Sequence, residues 1–86
     1  MKFATIFQYG NHDRIADVRP SHREYLASLK EQGKLFASGP FEDDSGALII
    51  YEADNQADAE ALIEADPFRA AGVFQSYDIR PWRQVF

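Results

Sequence analysis

The chain has 86 residues, no cysteine and a formal net charge of −5. The absence of cysteine excludes disulfides, thiolate metal sites and a cysteine nucleophile. An acidic balance argues against nucleic acid or an anionic membrane as a partner, since both require a basic surface. No segment approaches the roughly 20 apolar residues of a membrane span, and the first residues lack the features of a signal peptide. We therefore expect one domain, residues 1–86, in a soluble cytoplasmic protein.

The first half of the chain predicts a strand, a helix and a second strand. Residues 3–9 are β-branched and aromatic, as strands prefer. A polar break over 10–13 follows. Pro20 suits the first position of a helix that ends at Gly33, although a start one or two turns earlier, near Ile15, is also compatible. Residues 34–41 predict the second strand.

The second half predicts a strand, a helix and a last strand. A polar turn over 42–46 leads into a strand over 47–53. Asn55 can cap a helix over 56–65, which Pro67 ends. The last strand lies within 73–85, with Pro81 at its end or in an edge position.

The order βαββαβ predicts an α+β, ferredoxin-like fold, in which two helices cover one face of a four-stranded antiparallel sheet. The first and third strands are apolar on both faces, whereas a sheet with one wet face alternates apolar and polar residues. A chain this short also buries only about 60–65% of its unfolded surface. We therefore expect a homodimer in which the uncovered sheet faces pack together.

Two polar residues lie on apolar helix faces. His22 precedes Leu26 and Leu29 at helical spacing, and Asp66 follows Leu62 and Ile63. In the predicted topology the start of the first helix and the end of the second meet at one end of the sheet, so the two side chains should lie together. A cation at a helix start and an anion at a helix end oppose the helix dipoles. Such placement favours a shared site over a role in helix stability, although a buried structural pair remains the alternative.

The same end of the sheet should carry a small polar pocket. The second strand ends there with Ser38, Gly39 and Pro40, and the first ends with Tyr9. Arg19 lies one turn before the histidine. These five residues are the predicted substrate-binding set. The two histidines, ten residues apart, do not indicate a metal site, and the acidic turn lacks calcium-loop spacing. We predict neither a metal nor a cofactor.

Short motifs in a fixed order resemble the YCII-related (YciI-like) domain family over nearly the whole chain. They are Arg19-Pro20-Ser21-His22, Leu26, Gly33-Lys34-Leu35, Ser38-Gly39-Pro40-Phe41, Gly46, Ala65-Asp66-Pro67-Phe68, Ala71-Gly72-Val73-Phe74 and Ile79-Arg80-Pro81-Trp82.

The resemblance implies a ferredoxin-like fold that dimerises through its sheets, similar to muconolactone isomerase and other dimeric α+β barrels. It also implies an active site built on a His and an Asp, which correspond to His22 and Asp66 here. Most members have no assigned reaction, and one similar branch eliminates chloride from a chlorinated hydroxyhydroquinone. The segment 10–14 has the character of an insertion that could reshape the pocket mouth.

Such a pair supports proton transfer. Neutral His22 would act as general base, Asp66 would orient the ring, and Arg19 or the amide near Gly39 would steady a developing oxyanion. The sequence therefore predicts lyase, isomerase or dehydrohalogenase chemistry without a cofactor on a small cyclic or aromatic acid. The alternative is a non-catalytic small-ligand-binding or accessory module of the same dimeric fold.

Overall fold

The computed structural model describes residues 1–86 as four strands and three helices. The elements are β1 (Lys2–Tyr9), a 3₁₀ turn (His12–Arg14), α1 (Ile15–Glu31), β2 (Leu35–Pro40), β3 (Gly46–Glu52), α2 (Gln56–Glu64), α3 (Pro67–Ala70) and β4 (Phe74–Trp82). None of the three helices combines the length and the apolar character needed to cross a membrane.

The strands form one antiparallel sheet in the order β2-β3-β1-β4. The two central strands are therefore the two apolar ones, and both edge strands contain a proline, Pro40 in β2 and Pro81 in β4. Proline has no backbone N–H, and an edge strand tolerates it because one side of that strand has no neighbouring strand to bond. The ferredoxin-like fold predicted from the element order is confirmed.

Two helical details were not fixed by the sequence prediction. The first helix begins at Ile15, the earlier of the two starts considered, so Pro20 lies inside it. Tertiary packing of its apolar face outweighs the missing backbone donor of the proline. A third, short helix follows α2 directly: Asp66 is its N-cap and Pro67 its first residue. The Asp-Pro step that predicted a helix end also starts a new helix, a use for which both residues are well suited.

The core lies between the sheet and the helices. The side chains of β1 and β3 that face the helices are fully buried, and they pair across the strands in register: Phe3 with Tyr51, Thr5 with Ile49, and Phe7 with Ala47. Close packing of β1 against β3 also requires Gly46, where an added Cβ would lie 1.8 Å from the Phe7 carbonyl oxygen. A residue with a side chain would therefore not fit at the first position of β3.

The opposite sheet face is open and partly apolar. Ile6 and Leu48, paired across β1 and β3, are 48% and 38% exposed in the single chain. Ala4 pairs with Ile50 beside them on the same face. Three charged residues lie on the same face: Lys2 in β1, and, in β4, Asp78 opposite Ile6 and Arg80 opposite Ala4. The apolar residues predicted on both faces of the two central strands are therefore present, and one of these two faces has no cover within this chain.

Candidate active site

His22 and Asp66 are in direct contact in the interior. The histidine Nδ1 lies 2.8 Å from Oδ1 and 2.9 Å from Oδ2 of the carboxylate. Asp66 is completely buried, and His22 is 8% exposed. Because a carboxylate can only accept hydrogen bonds, Nδ1 carries the shared hydrogen and Nε2 is left with a free lone pair when the ring is neutral.

The carboxylate is fixed from a second direction. The backbone N–H of Phe68 donates to Oδ1 of Asp66 over 2.8 Å. This is the N-cap bond of α3, and an anion at a helix N-terminus is on the favourable side of the dipole. The sequence argument that both charges oppose their helix dipoles is therefore wrong. Asp66 follows the end of α2 directly, but its carboxylate caps the N-terminus of α3, and His22 lies two turns inside α1, beyond the reach of its first turn.

Aromatic rings set the plane of the imidazole. The Phe68 ring stacks on His22 with centroids 3.9 Å apart and planes 10° apart, while Phe74 meets it edge-on at 5.4 Å. Tyr9 stacks in turn on Phe74. One short segment, Asp66 to Phe68, thus supplies the hydrogen-bond partner of the imidazole and its stacking surface. Both degrees of freedom of the ring, its rotation and its tilt, are constrained.

A cavity of about 310 Å³ is lined in part by His22. We call it the histidine cavity. Its lining includes His22 and all five residues of the predicted substrate-binding set: Tyr9, Arg19, Ser38, Gly39 and Pro40. Asp66 lies behind the ring and does not reach the cavity surface. The structure thus brings the predicted residues together in space, while their roles toward a substrate stay a prediction.

Further lining residues were not singled out from the sequence as pocket residues. They are Arg23, Leu26, Asp44, Ala47 and Phe68. Arg23 follows from the same helical spacing that placed Arg19, since the two are four residues apart on α1. Asp44 has a left-handed backbone, with a φ of 58°, in the turn between β2 and β3. The sequence predicted only a polar turn over 42–46, and no feature of the sequence shows that the carboxylate of Asp44 borders the cavity.

The charges around the cavity act on Tyr9. Burial raises the pKa of the Tyr9 phenol, Arg19 and Arg23 lower that pKa in part, and Asp44 raises it. The net pKa lies above the ordinary value of a tyrosine. At neutral pH Tyr9 is therefore a neutral phenol that can donate a hydrogen bond to a ligand in the cavity.

A larger cavity of about 590 Å³ lies at the other end of the sheet, around Met1, Lys34 and Glu52. Its glutamate is already neutralised, because the Met1 ammonium lies 3.3 Å and the Lys2 Nζ 2.6 Å from its oxygens. The molecule contains no cluster of three or more His, Asp or Glu side chains with the arrangement of metal ligands. The histidine cavity is the one that combines a buried titratable pair with convergent polar groups.

Solved structures share this fold. A dehydrochlorinase for 5-chloro-2-hydroxyhydroquinone, TftG from Burkholderia phenoliruptrix AC1100, in complex with 2,5-dihydroxybenzoquinone, superposes with a TM-score of 0.81 at 28% sequence identity, covering 96% of this chain and 94% of that one. An antibiotic biosynthesis monooxygenase superposes with a TM-score of 0.63 at 15% identity and shows the fold alone.

Sequence relatives cover most of the chain. Protein YciI of Escherichia coli O6:H1 and that of Shigella flexneri are each 34% identical, with 86% of both chains covered. The uncharacterized protein YjpA of Bacillus subtilis is 34% identical over 73 residues. The model of the YCII-related domain matches residues 1–83. The chain therefore belongs to the YCII-related domain family.

Proposed function

We propose that this protein is an enzyme that uses His22 and Asp66 for general acid/base chemistry, without a cofactor, on a small cyclic or aromatic acid. The observation that carries the proposal is the double fixation of His22: Nδ1 is bound to a buried carboxylate, and the ring is clamped against Phe68. A structural histidine does not need an open cavity at its other edge. This one borders a cavity whose lining is polar on several sides.

In the proposed mechanism, Nε2 of neutral His22 removes a proton from an acidic C–H or O–H of the substrate. The electron pair left behind moves toward a carbonyl oxygen, or it expels a leaving group such as chloride. Asp66 stabilises the imidazolium that forms, and the Phe68 N–H holds the carboxylate in place. Arg19 or the amide near Gly39 stabilises the negative charge that develops on oxygen. The proton then leaves His22 for the product or for water.

Among the candidate reactions, chloride elimination is the one that the comparison with TftG favours. That protein is a dehydrochlorinase, and it shares 28% identity over nearly the whole chain. The ligand in its complex, 2,5-dihydroxybenzoquinone, has a single ring. A cavity of about 310 Å³ has room for a ligand of that class. We therefore place dehydrohalogenation ahead of isomerisation among the reactions that the pair could catalyse.

The test is chloride release from 5-chloro-2-hydroxyhydroquinone, followed with the wild type and with the variants His22→Gln and Asp66→Asn. Ser28→Ala, a change on the exposed face of α1, is the matched control. We expect turnover by the wild type and the control, and a loss of about 100-fold or more for each site variant, as is typical when a general base or its partner is removed.

Hydrogen–deuterium exchange at ring C–H positions of the same compound, followed by NMR, extends the test to proton transfer without chloride loss. Activity that survives in both site variants would refute the proposed roles. Ligand binding with neither chloride release nor exchange would instead support the alternative, a non-catalytic small-ligand-binding or accessory module.

A further inference from the structure

Two arginines in the histidine cavity have no partner within the protein. Arg19 and Arg23 both line the cavity, and neither makes a side-chain hydrogen bond or an ion pair. Arg69 and Arg80, elsewhere on the surface, pair with Glu64 and Asp78. We call Arg19 and Arg23 the arginine pair.

The placement of the arginine pair is unfavourable for the helix itself. The two side chains are four residues apart on α1 and therefore adjacent on its surface, where like charges repel. Together with His22 and Leu26 the pair follows one stripe of the helix, at spacings of three and four residues, and the whole stripe borders the cavity.

The rest of the cavity offers the pair no anion within reach of a salt bridge. Asp66 is buried behind the imidazole and bonded to His22 and Phe68. Asp44 borders the cavity from the β2–β3 turn without contacting either guanidinium. Both arginines are nevertheless close enough to lower the pKa of the Tyr9 phenol. A local excess of positive charge thus faces the cavity in a chain with a formal net charge of −5.

We propose that the arginine pair is a carboxylate clamp, and that the ligands of this cavity are single-ring compounds carrying a carboxylate. A guanidinium offers a planar fork of donors that matches a carboxylate in two parallel hydrogen bonds. Asp44 repels a carboxylate from the turn side of the cavity, which directs that group toward α1. The pair thereby orients the ring so that its remaining acidic groups face His22. This inference rests on the proposed function only for the identity of the site, because it concerns binding and not turnover.

The experiment compares two probes that differ in one group. The probes are 2,5-dihydroxybenzoate and its uncharged analogue 2,5-dihydroxybenzamide, and their Kd values are measured by isothermal titration calorimetry. We expect the wild type to bind the benzoate about tenfold or more tightly than the benzamide, as is usual for a hydrogen-bonded charge pair. In Arg23→Gln and Arg19→Gln the preference should fall toward unity. Arg83→Gln, a change of an unpaired arginine outside the cavity, should preserve it.

Two further variants separate the clamp from folding and from catalysis. Arg23→Lys keeps the charge without the fork, so it should retain part of the preference. His22→Gln should abolish turnover while the benzoate preference remains. The clamp is refuted if the wild type binds both probes equally or not at all, or if the preference survives in both Arg→Gln variants. A clear preference in a protein without turnover would support the clamp and count against the proposed enzyme.

Discussion

At the scale of single residues, the site is built from buried polar groups that satisfy one another. Asp66 makes three close contacts with two partners: His22 Nδ1 lies near both carboxylate oxygens, and the Phe68 N–H donates to Oδ1. The sequence predicts that His22 and Asp66 approach, because helical periodicity and strand order are enough to place both at one end of the sheet. It does not predict the stacking of Phe68 on His22, because that contact depends on α3, a four-residue helix without a periodic pattern of its own.

Tyr51 is a second buried polar residue with a different status. Its hydroxyl has no hydrogen-bond partner in the protein, whereas the hydroxyl of Tyr25 donates to the Leu62 carbonyl. Burial raises the pKa of the Tyr51 phenol strongly, and the charge of Asp66 raises it further. The folded state therefore holds this phenol neutral at pH values where the unfolded chain ionises it.

We predict that Tyr51→Phe raises the free energy of unfolding slightly, or leaves it unchanged, at neutral pH. The matched change Tyr25→Phe should lower it by about 1 kcal/mol, because a hydrogen bond is lost. Above about pH 10, where an ordinary tyrosine ionises, the wild type should lose stability progressively, since the unfolded state releases a proton that the folded state keeps. Tyr51→Phe should lose less.

Urea unfolding curves at pH 8 and at pH 11 give both comparisons for these three proteins. A Tyr51→Phe variant that is destabilised at pH 8 as much as Tyr25→Phe would show that the Tyr51 hydroxyl has a partner. The predicted account of this residue would then be wrong.

At the scale of elements, periodicity predicts the strands and the long helices to within a few residues. The exceptions have local physical causes. Pro20 is tolerated inside α1 because that helix buries an apolar face, so a local rule for helix starts is overruled by packing. Asp66-Pro67 is both the end of one helix and the cap of the next, and only the end was predicted. The cap could have been recognised from the residue types, since Asp before Pro is a frequent helix start.

The start of β3 depends on a glycine, which leads to a second prediction. An added Cβ at Gly46 would overlap the Phe7 carbonyl oxygen, whereas one at Gly39 would meet no atom within 4 Å. Gly46→Ala should therefore lower the free energy of unfolding by about 2 kcal/mol or more, because β1 and β3 must separate. Gly39→Ala should change it by less than about 1 kcal/mol.

Thermal and urea unfolding of the two variants measure this difference. Equal stability of Gly46→Ala and Gly39→Ala would mean that β1 and β3 do not approach as closely as described. Because Gly39 also lines the histidine cavity, its variant reports on ligand binding in a protein of nearly native stability.

At the scale of the whole molecule, the open face of the sheet is the feature that a single chain does not explain. The residue pattern of the first and third strands predicted an apolar second face, and Ile6 and Leu48 are half-exposed there. Paired strands that present apolar side chains to water favour association. What the sequence cannot predict is the area and geometry of that contact, because they depend on how two surfaces fit.

We predict a homodimer with the open faces in contact, burying on the order of 1,200 Å² or more in total. Leu48→Lys, which puts a charge at the centre of the apolar strip, should shift the protein toward monomer. Ser28→Lys, which adds the same charge on the exposed side of α1 and away from the open sheet face, should leave the dimer intact. Light scattering coupled to size exclusion measures the mass of each variant. A wild type that is monomeric at micromolar concentration would refute this assembly.

The central claim is that His22 uses Nδ1 for Asp66 and leaves Nε2 to a ligand in the cavity. The ¹⁵N spectrum of the histidine rings, recorded by NMR where the rings are neutral, tests it most directly, with exposed His12 as the internal reference. We predict that His22 carries its hydrogen on Nδ1, that Asp66→Asn weakens this preference, and that 2,5-dihydroxybenzoate shifts the Nε2 signal alone. A hydrogen found on Nε2, or a ring unaffected by both the substitution and the ligand, would contradict the account.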